Sequence, residues 1–156
     1  MSTNFLYNIS LVLHITGLTL MAGTTVADSI LYRQFWKQYN SNPIQSTGTL
    51  QASGKLAVLF GLGFLLLLAS GITIMALTHG LYGEQLWFRV KMVLVVAILV
   101  NGLAVGRRTG LAIRKAVIQA SGNVNLSALR RRLALFHFLQ LVLFIAIYIM
   151  GVFKFN

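Results

Sequence analysis

The chain has 156 residues, of which 57% are hydrophobic and 10% are charged, and its formal net charge is +11. Because soluble domains carry about 25% charged residues, this composition predicts one integral membrane domain over residues 1–156, in contact with the lipid bilayer. The absence of cysteine excludes disulfides, cysteine-ligated metals and iron–sulfur clusters, and two acidic residues leave little scope for paired-carboxylate hydrolysis. We attribute the positive charge to membrane topology and anionic lipid headgroups, and we expect no nucleic-acid partner.

Four apolar runs follow one another along the chain, each near the roughly 20 residues that a membrane-spanning helix needs. They cover residues of about 5–27, 56–77, 86–105 and 133–153. A polar loop is predicted over Asn40–Gly48 and a tight turn over 79–84. The third run continues as a basic helix that ends at Ser121-Gly122-Asn123, and Asn125 or Ser127 is expected to cap the next helix. The sequence therefore predicts an all-α, transmembrane up-down-up-down four-helix bundle.

The first run carries a polar stripe on one helix face. His14, Met21, Thr25 and Asp28 follow one another at spacings of seven, four and three residues. Because hydrocarbon penalises polar groups, we expect this face to point into the bundle. A neutral imidazole inside a span is suited to binding haem iron or to carrying a proton. The structural alternative for His14 is a hydrogen bond across helices, and Asp28 is either a proton relay or a partner of Arg33 or a loop-three arginine.

The polar residues of the four runs separate into two predicted depths when helical rise is counted from the outer ends of the helices. The outer level, at roughly 8–13 Å, contains His14, Ser70, Lys91 and Tyr148. The deeper level, at roughly 22–24 Å, contains Met21, Asn101 and His137. His14 and His137 therefore differ by roughly 10 Å in depth, which disfavours them as two ligands of one iron.

Short motifs accompany these residues. The first run contains Leu13-His14-Ile15 and then Met21-Ala22-Gly23, and the third begins with Trp87-Phe88-Arg89-Val90-Lys91 and is followed by Gly106-Arg107-Arg108. In these motifs the chain resembles the small four-helix membrane proteins related to HemJ-type protoporphyrinogen oxidases, and more loosely the CopD-like membrane domains. The resemblance implies b-type haem bound at His14 and Lys91. The chain departs from that pattern at Asn101, where a histidine is expected, and at 135–138, which lacks Glu and Pro.

We therefore expect a haem b protein of the bacterial inner membrane that transfers electrons or oxidises a porphyrinogen-like reductant, with quinone as the acceptor. The expected iron ligands, in order of preference, are His14, Lys91 and His137. The other expected cofactor contacts are Met21, Trp87, Asn101 and Tyr148, whereas Arg107 and Arg108 either face lipid headgroups or bind the haem propionates. Two alternatives stay open: a haem-free proton-coupled transporter that uses His14, Asp28 and His137, and a structural subunit. Either a homo-oligomer or a monomer is compatible with the sequence.

The distribution of basic residues predicts the orientation of the bundle. Ten of the 13 lysines and arginines lie on the side of loops one and three, and three lie on the opposite side. The positive-inside rule then predicts that these loops are cytoplasmic and that both termini are outside. Topology reporters fused to each terminus and to loop three measure this directly. A cytoplasmic signal from either terminus would contradict the predicted orientation.

Overall fold

Four long helical rods make up the protein in the computed structural model, which describes residues 3–41, 43–118 and 125–153. The elements are α1 (Thr3–Ser41), α2 (Pro43–Leu77), α3 (Leu86–Val100), a π-helical segment (Asn101–Arg107), α4 (Arg108–Ile118) and α5 (Leu126–Val152). The third rod is continuous through α3, the π segment and α4. All four rods are long and apolar enough to cross a membrane, and the described residues contain no strand. The predicted all-α transmembrane bundle is confirmed.

Hydrogen bonds between the rods define their antiparallel order. His14, early in α1, lies 3.1 Å from Ser70, late in α2. Conversely, Asp28 in the second half of α1 accepts a hydrogen bond from Ser53 in the first half of α2. On the other side of the bundle, Asn101 near the middle of the third rod donates to Gln140 in α5. The rods therefore alternate in direction, with the N-terminus, the 78–85 turn and residue 153 at one end, the terminal end. The opposite end, where most arginines lie, is the basic end.

The polar loop predicted over Asn40–Gly48 is wrong, because α1 continues to Ser41 and α2 already begins at Pro43. Proline is well suited to the first turn of a helix, where no amide hydrogen bond is lost. An apolar cluster holds the extended rods together beyond the four apolar runs. Its buried members are Tyr32, Phe35, Trp36, Leu50, Ile113 and Leu133. Burial of Leu50, and of Ser46 one helical turn earlier, thus outweighs the turn-forming composition of this stretch.

The remaining connections agree with the sequence where the structure describes them. A turn covers residues 78–84, and His79 is exposed there with a φ of 50°. Asn125 is the cap of α5, because its side-chain oxygen accepts a hydrogen bond from the Ala128 amide at 3.0 Å. Ser127 donates to that same oxygen at 2.7 Å, so it supports the cap. The helix break predicted at Ser121-Gly122-Asn123 lies outside the described residues.

The polar face of α1 points into the bundle, as the sequence predicts. Met21 is 2% exposed and Thr25 is also buried, whereas Val12 on another face of α1 is 63% exposed. Met21 belongs to a central apolar cluster to which all four rods contribute. The buried members of this cluster are Leu18, Met21, Leu67, Ile98, Phe144 and Ile147. Large apolar side chains that face outward are those that lipid would cover.

The four rods do not pack equally closely. A β-carbon added at Gly17 would lie 2.7 Å from the Gly63 carbonyl oxygen and 2.8 Å from the Leu67 amide nitrogen, so α1 and α2 approach backbone to backbone. α1 also packs against α5, and α5 packs against the third rod. In contrast, no Cα atom of α2 lies within 8 Å of a Cα atom of α3 in the described residues. The bundle therefore has a gap between its second and third rods.

The close approach of α1 and α2 yields a stability prediction. Gly17→Ala should lower the free energy of unfolding by about 1–3 kcal/mol, because the new methyl group meets fixed backbone atoms. The matched control is Gly23→Ala, since a β-carbon at Gly23 meets no atom within 4 Å. This control should be neutral or stabilising, because alanine is the better helix former. Thermal unfolding in detergent compares the two variants, and equal stabilities would contradict the packing argument.

Candidate functional sites

The first candidate site is built around His14, which is half-buried between α1 and α2. Its Nδ1 atom lies 3.1 Å from Ser70 Oγ. The Ser70 hydroxyl is 2.5 Å from the Leu66 carbonyl oxygen and donates its one proton within its own helix. Ser70 Oγ must therefore accept a hydrogen bond from Nδ1–H of His14. This arrangement fixes the neutral imidazole in the tautomer whose Nε2 carries a lone pair.

Of the other residues expected at the cofactor, Trp87 and Tyr148 make their contacts away from His14. Lys91 is half-buried on α3. Trp87 is buried, but its indole nitrogen donates to Gln85 and its ring packs against Tyr82 and Phe88 around the start of α3. Tyr148 is 42% exposed, and its hydroxyl lies 3.5 Å from Thr19 Oγ1. Of the residues expected at the outer level, His14 and Ser70 are in contact and Lys91 is half-buried, whereas Tyr148 is exposed.

The second candidate site is built around His137 of α5, which is 4% exposed. Its Nε2 lies 3.0 Å from Asp28 Oδ2 on α1. The other carboxylate oxygen of Asp28 accepts a hydrogen bond of 2.5 Å from Ser53 of α2. Asp28 therefore pairs with His137, and among the described residues it forms no salt bridge with Arg33 or with a loop-three arginine, the two partners considered from the sequence. A buried histidine–carboxylate pair inside a span is costly unless it is mutually satisfied, which makes it a functional candidate.

Residues on all four rods surround this pair. The Tyr32 ring centroid lies 5.9 Å from that of His137, and the Phe136 ring lies at 4.9 Å. Arg114 Nη2 donates to the Leu50 carbonyl at 2.7 Å, and its guanidinium lies against Gly54. These contacts join α4 to α2 at the basic end, next to the Asp28–His137 pair.

Met21 and Asn101, which the sequence places at the depth of His137, are engaged elsewhere. Met21 packs in the central apolar cluster. Asn101 Nδ2 donates to Gln140 Oε1 at 2.7 Å and to the Phe136 carbonyl at 3.4 Å. Gln140 Nε2 in turn donates to the Ile98 carbonyl at 3.3 Å. Asn101 thus joins the start of the π-helical segment to α5.

A cavity of about 550 Å³ lies beside the second site. Its polar lining consists of Thr24, Thr25, Asp28, Tyr32, Ser53, Arg107, Arg114 and His137. Both threonine hydroxyls donate to backbone carbonyls of α1, whereas Asp28, Ser53, Arg114 and His137 make hydrogen bonds between rods. Arg107 reaches the cavity from an otherwise exposed position, and Arg108 is exposed. This cavity is the feature that sequence reasoning missed, because it depends on how the rods are spaced.

The two histidine sites are separate. Ser70, the partner of His14, and Ser53, which shares Asp28 with His137, are 17 residues apart on α2. That spacing corresponds to roughly 25 Å along a helix. His14 and His137 therefore do not bind one metal ion together in this arrangement. Among the described residues, no group of three or more His, Cys, Asp or Glu side chains is arranged to hold a metal ion.

The Asp28–His137 pair predicts a measurable coupling. Asp28→Asn and His137→Gln should each destabilise the protein, and a double-mutant cycle should give a coupling energy of about 1–3 kcal/mol. The matched control is the pair Ser70→Ala and His137→Gln, whose positions belong to different sites and should act additively. Unfolding free energies in detergent provide the measurement. Additive effects of Asp28→Asn and His137→Gln would show that the pair contributes nothing beyond its members.

Comparison with known proteins gives no relative from which a function can be transferred. No protein-family model, curated protein or solved structure matches this chain. The chemistry of the two sites therefore has to be read from their own residues.

Proposed function

We propose that this protein is a b-type haem protein of the bacterial inner membrane that transfers electrons, with His14 as an iron ligand. The observation that carries the proposal is the hydrogen bond from Nδ1 of His14 to Ser70 Oγ at 3.1 Å. Metal-binding histidines generally donate their other ring N–H to a nearby acceptor, which sets the tautomer and orients the ring. Ser70 supplies that acceptor, and Nε2 is left as the donor atom for iron.

The residues around His14 are compatible with haem. Haem needs one or two protein ligands, so the lack of larger clusters among the described residues is no obstacle. The chain has no cysteine, so attachment would be non-covalent. Lys91 suits either of two roles: a neutral amine that binds iron, or an ammonium group that pairs with a propionate. Bound haem would supply one-electron redox chemistry, and His14, with its ring oriented by Ser70, would hold the iron.

A more specific form of the proposal is oxidation of protoporphyrinogen or a similar hydrophobic reductant, with quinone as the acceptor. This form is supported by the resemblance of the His14 and Trp87–Lys91 motifs to HemJ-type oxidases. It is weakened by Asn101, which stands where that pattern has a histidine and is engaged with Gln140. Haem binding alone would therefore not establish porphyrinogen oxidation.

The visible spectrum of the purified protein tests haem binding. Protein from haem-replete cells should show a Soret band and a b-type pyridine haemochrome. His14→Ala should lose most of the haem, and Ser70→Ala should lower haem affinity by about 10–100-fold because the ring loses its orienting partner. The matched control is His137→Ala, which removes the other intramembrane histidine and should retain haem.

Two outcomes would change this assignment. Full haem content and an unchanged reduced spectrum in His14→Ala would remove the central claim. Haem loss in His137→Ala, together with an unaffected Lys91→Ala, would move the haem to the second site.

The Asp28–His137 pair favours a second candidate function, a haem-free proton-coupled transporter. A carboxylate and an imidazole 3.0 Å apart inside a bundle form a site that can take up and release a proton. The adjacent cavity would hold the transported molecule. Colourless, fully folded protein from haem-replete cells would replace the haem proposal with this one.

A further inference from the structure

We propose that the cavity between α2 and the third rod binds a neutral, lipid-soluble molecule of the quinone or quinol class, with its head group at the Asp28–His137 pair. This site is distinct from the His14 site, and the proposal does not depend on haem.

The walls of the cavity belong to rods that stay apart. Phe60, Gly61 and Phe64 of α2 line one side, and Gly102 and Leu103 of the π segment line the other. α1 and α5, which do pack together, form the base. Because α2 and the third rod make no close approach along α3, we expect a path into the cavity from the hydrocarbon layer when the protein lies in a bilayer. A ligand that arrives by this path has to be soluble in lipid.

The shape of the cavity favours a planar ring. Gly61 and Gly102 line opposite walls, and a β-carbon added at either would meet no atom within 4 Å. Because neither glycine carries a side chain, a narrow space is left between the two rods at these positions. The volume of about 550 Å³ is in the range of small-molecule sites. Phe60 and Phe64 add aromatic surface on which a flat ring can stack.

The inner end of the cavity favours a neutral hydroxyl or carbonyl head group. Asp28 accepts hydrogen bonds from His137 and Ser53 through its two oxygens, so a ligand carboxylate would be repelled by an adjacent charge. His137 uses Nε2 in this pair, which leaves Nδ1 for a ligand. A neutral imidazole accepts a hydrogen bond from a quinol hydroxyl at Nδ1, and a protonated imidazole donates one to a quinone carbonyl. Asp28 fixes the orientation of the His137 ring through Nε2, as carboxylates do for histidines that exchange protons.

The two arginines that line the cavity suggest one alternative class of ligand, an anionic amphiphile. Arg107 is exposed, and Arg114 is held by the Leu50 carbonyl. An anionic amphiphile would bind through these guanidinium groups instead of through Asp28 and His137. The hydrogen bond that already engages Arg114, together with the charge of Asp28, favours the neutral ligand.

Binding of decylubiquinone to the purified full-length protein in phosphatidylcholine nanodiscs tests the proposal. Wild-type protein should show a saturable rise in Tm with decylubiquinone concentration, since a ligand of the native state stabilises it. Gly61→Leu places a side chain in the cavity and should weaken binding about tenfold or more. Its matched control is Gly23→Leu, which adds the same side chain at an exposed glycine with open space on α1 and should bind normally.

A second variant tests the head group. Asp28→Asn removes the carboxylate that orients His137 and should weaken decylubiquinone binding about tenfold. Gly61→Leu keeps the test decisive if Asp28→Asn fails to fold. Haem content measured on the same samples should be unchanged in Gly61→Leu, so failure of the quinone site is distinguished from failure of the haem proposal.

Three results would overturn the proposal. These are the absence of a saturable shift in the wild type, equal affinity in Gly61→Leu and wild type, and tighter binding of decanoate than of decylubiquinone with loss of decanoate binding in Arg114→Gln. The third result would assign the cavity to an anionic amphiphile.

Discussion

The polar face of α1 must find its partners inside the protein, because the hydrocarbon layer offers none. Its two titratable groups have different hydrogen-bond partners. His14 is satisfied by a serine of α2, whereas Asp28 is satisfied by a serine of α2 and a histidine of α5. These bonds fix how α1 is rotated and how far it is displaced along its neighbours. The central apolar cluster then fills the space between the two polar levels.

The two intramembrane histidines present opposite ring nitrogens to their surroundings. His14 engages Nδ1 with a neutral hydroxyl, so its Nε2 is the basic atom and the ring is favoured as neutral. His137 engages Nε2 with a carboxylate, which orients the ring and leaves Nδ1 for another partner. A neutral, oriented imidazole suits coordination, and a carboxylate-backed imidazole suits proton exchange. One bundle therefore combines two sites with different chemistry, about 25 Å apart along its axis.

Periodicity and apolar length predict the helical rods and the inward face of α1, because both properties are local to each helix. The contact between His14 and Ser70 agrees with their similar predicted depths. The same calculation fails for Asp28, which is 23 residues from Phe5 and thus roughly 35 Å deep, against roughly 24 Å for His137. These two residues nonetheless touch, because the ends of the rods do not lie in common planes. The spacing of the rods, and hence the cavity, depends on contacts between distant segments that no local pattern encodes.

The π-helical segment allows the third rod to lose one residue without a change in the relative rotation of its two ends. Within an α-helix, removing one residue rotates everything that follows by about 100° relative to what precedes it. A π segment is the exception, since it accommodates an additional residue as a bulge between two helices that keep their directions. Shortening Asn101–Arg107 by one residue would thus restore regular helix there and leave α3 and α4 in phase. The geometry around Asn101 would be lost without disturbing either end of the rod, so insertion and deletion at this point is a route by which such a bundle gains or loses a cavity.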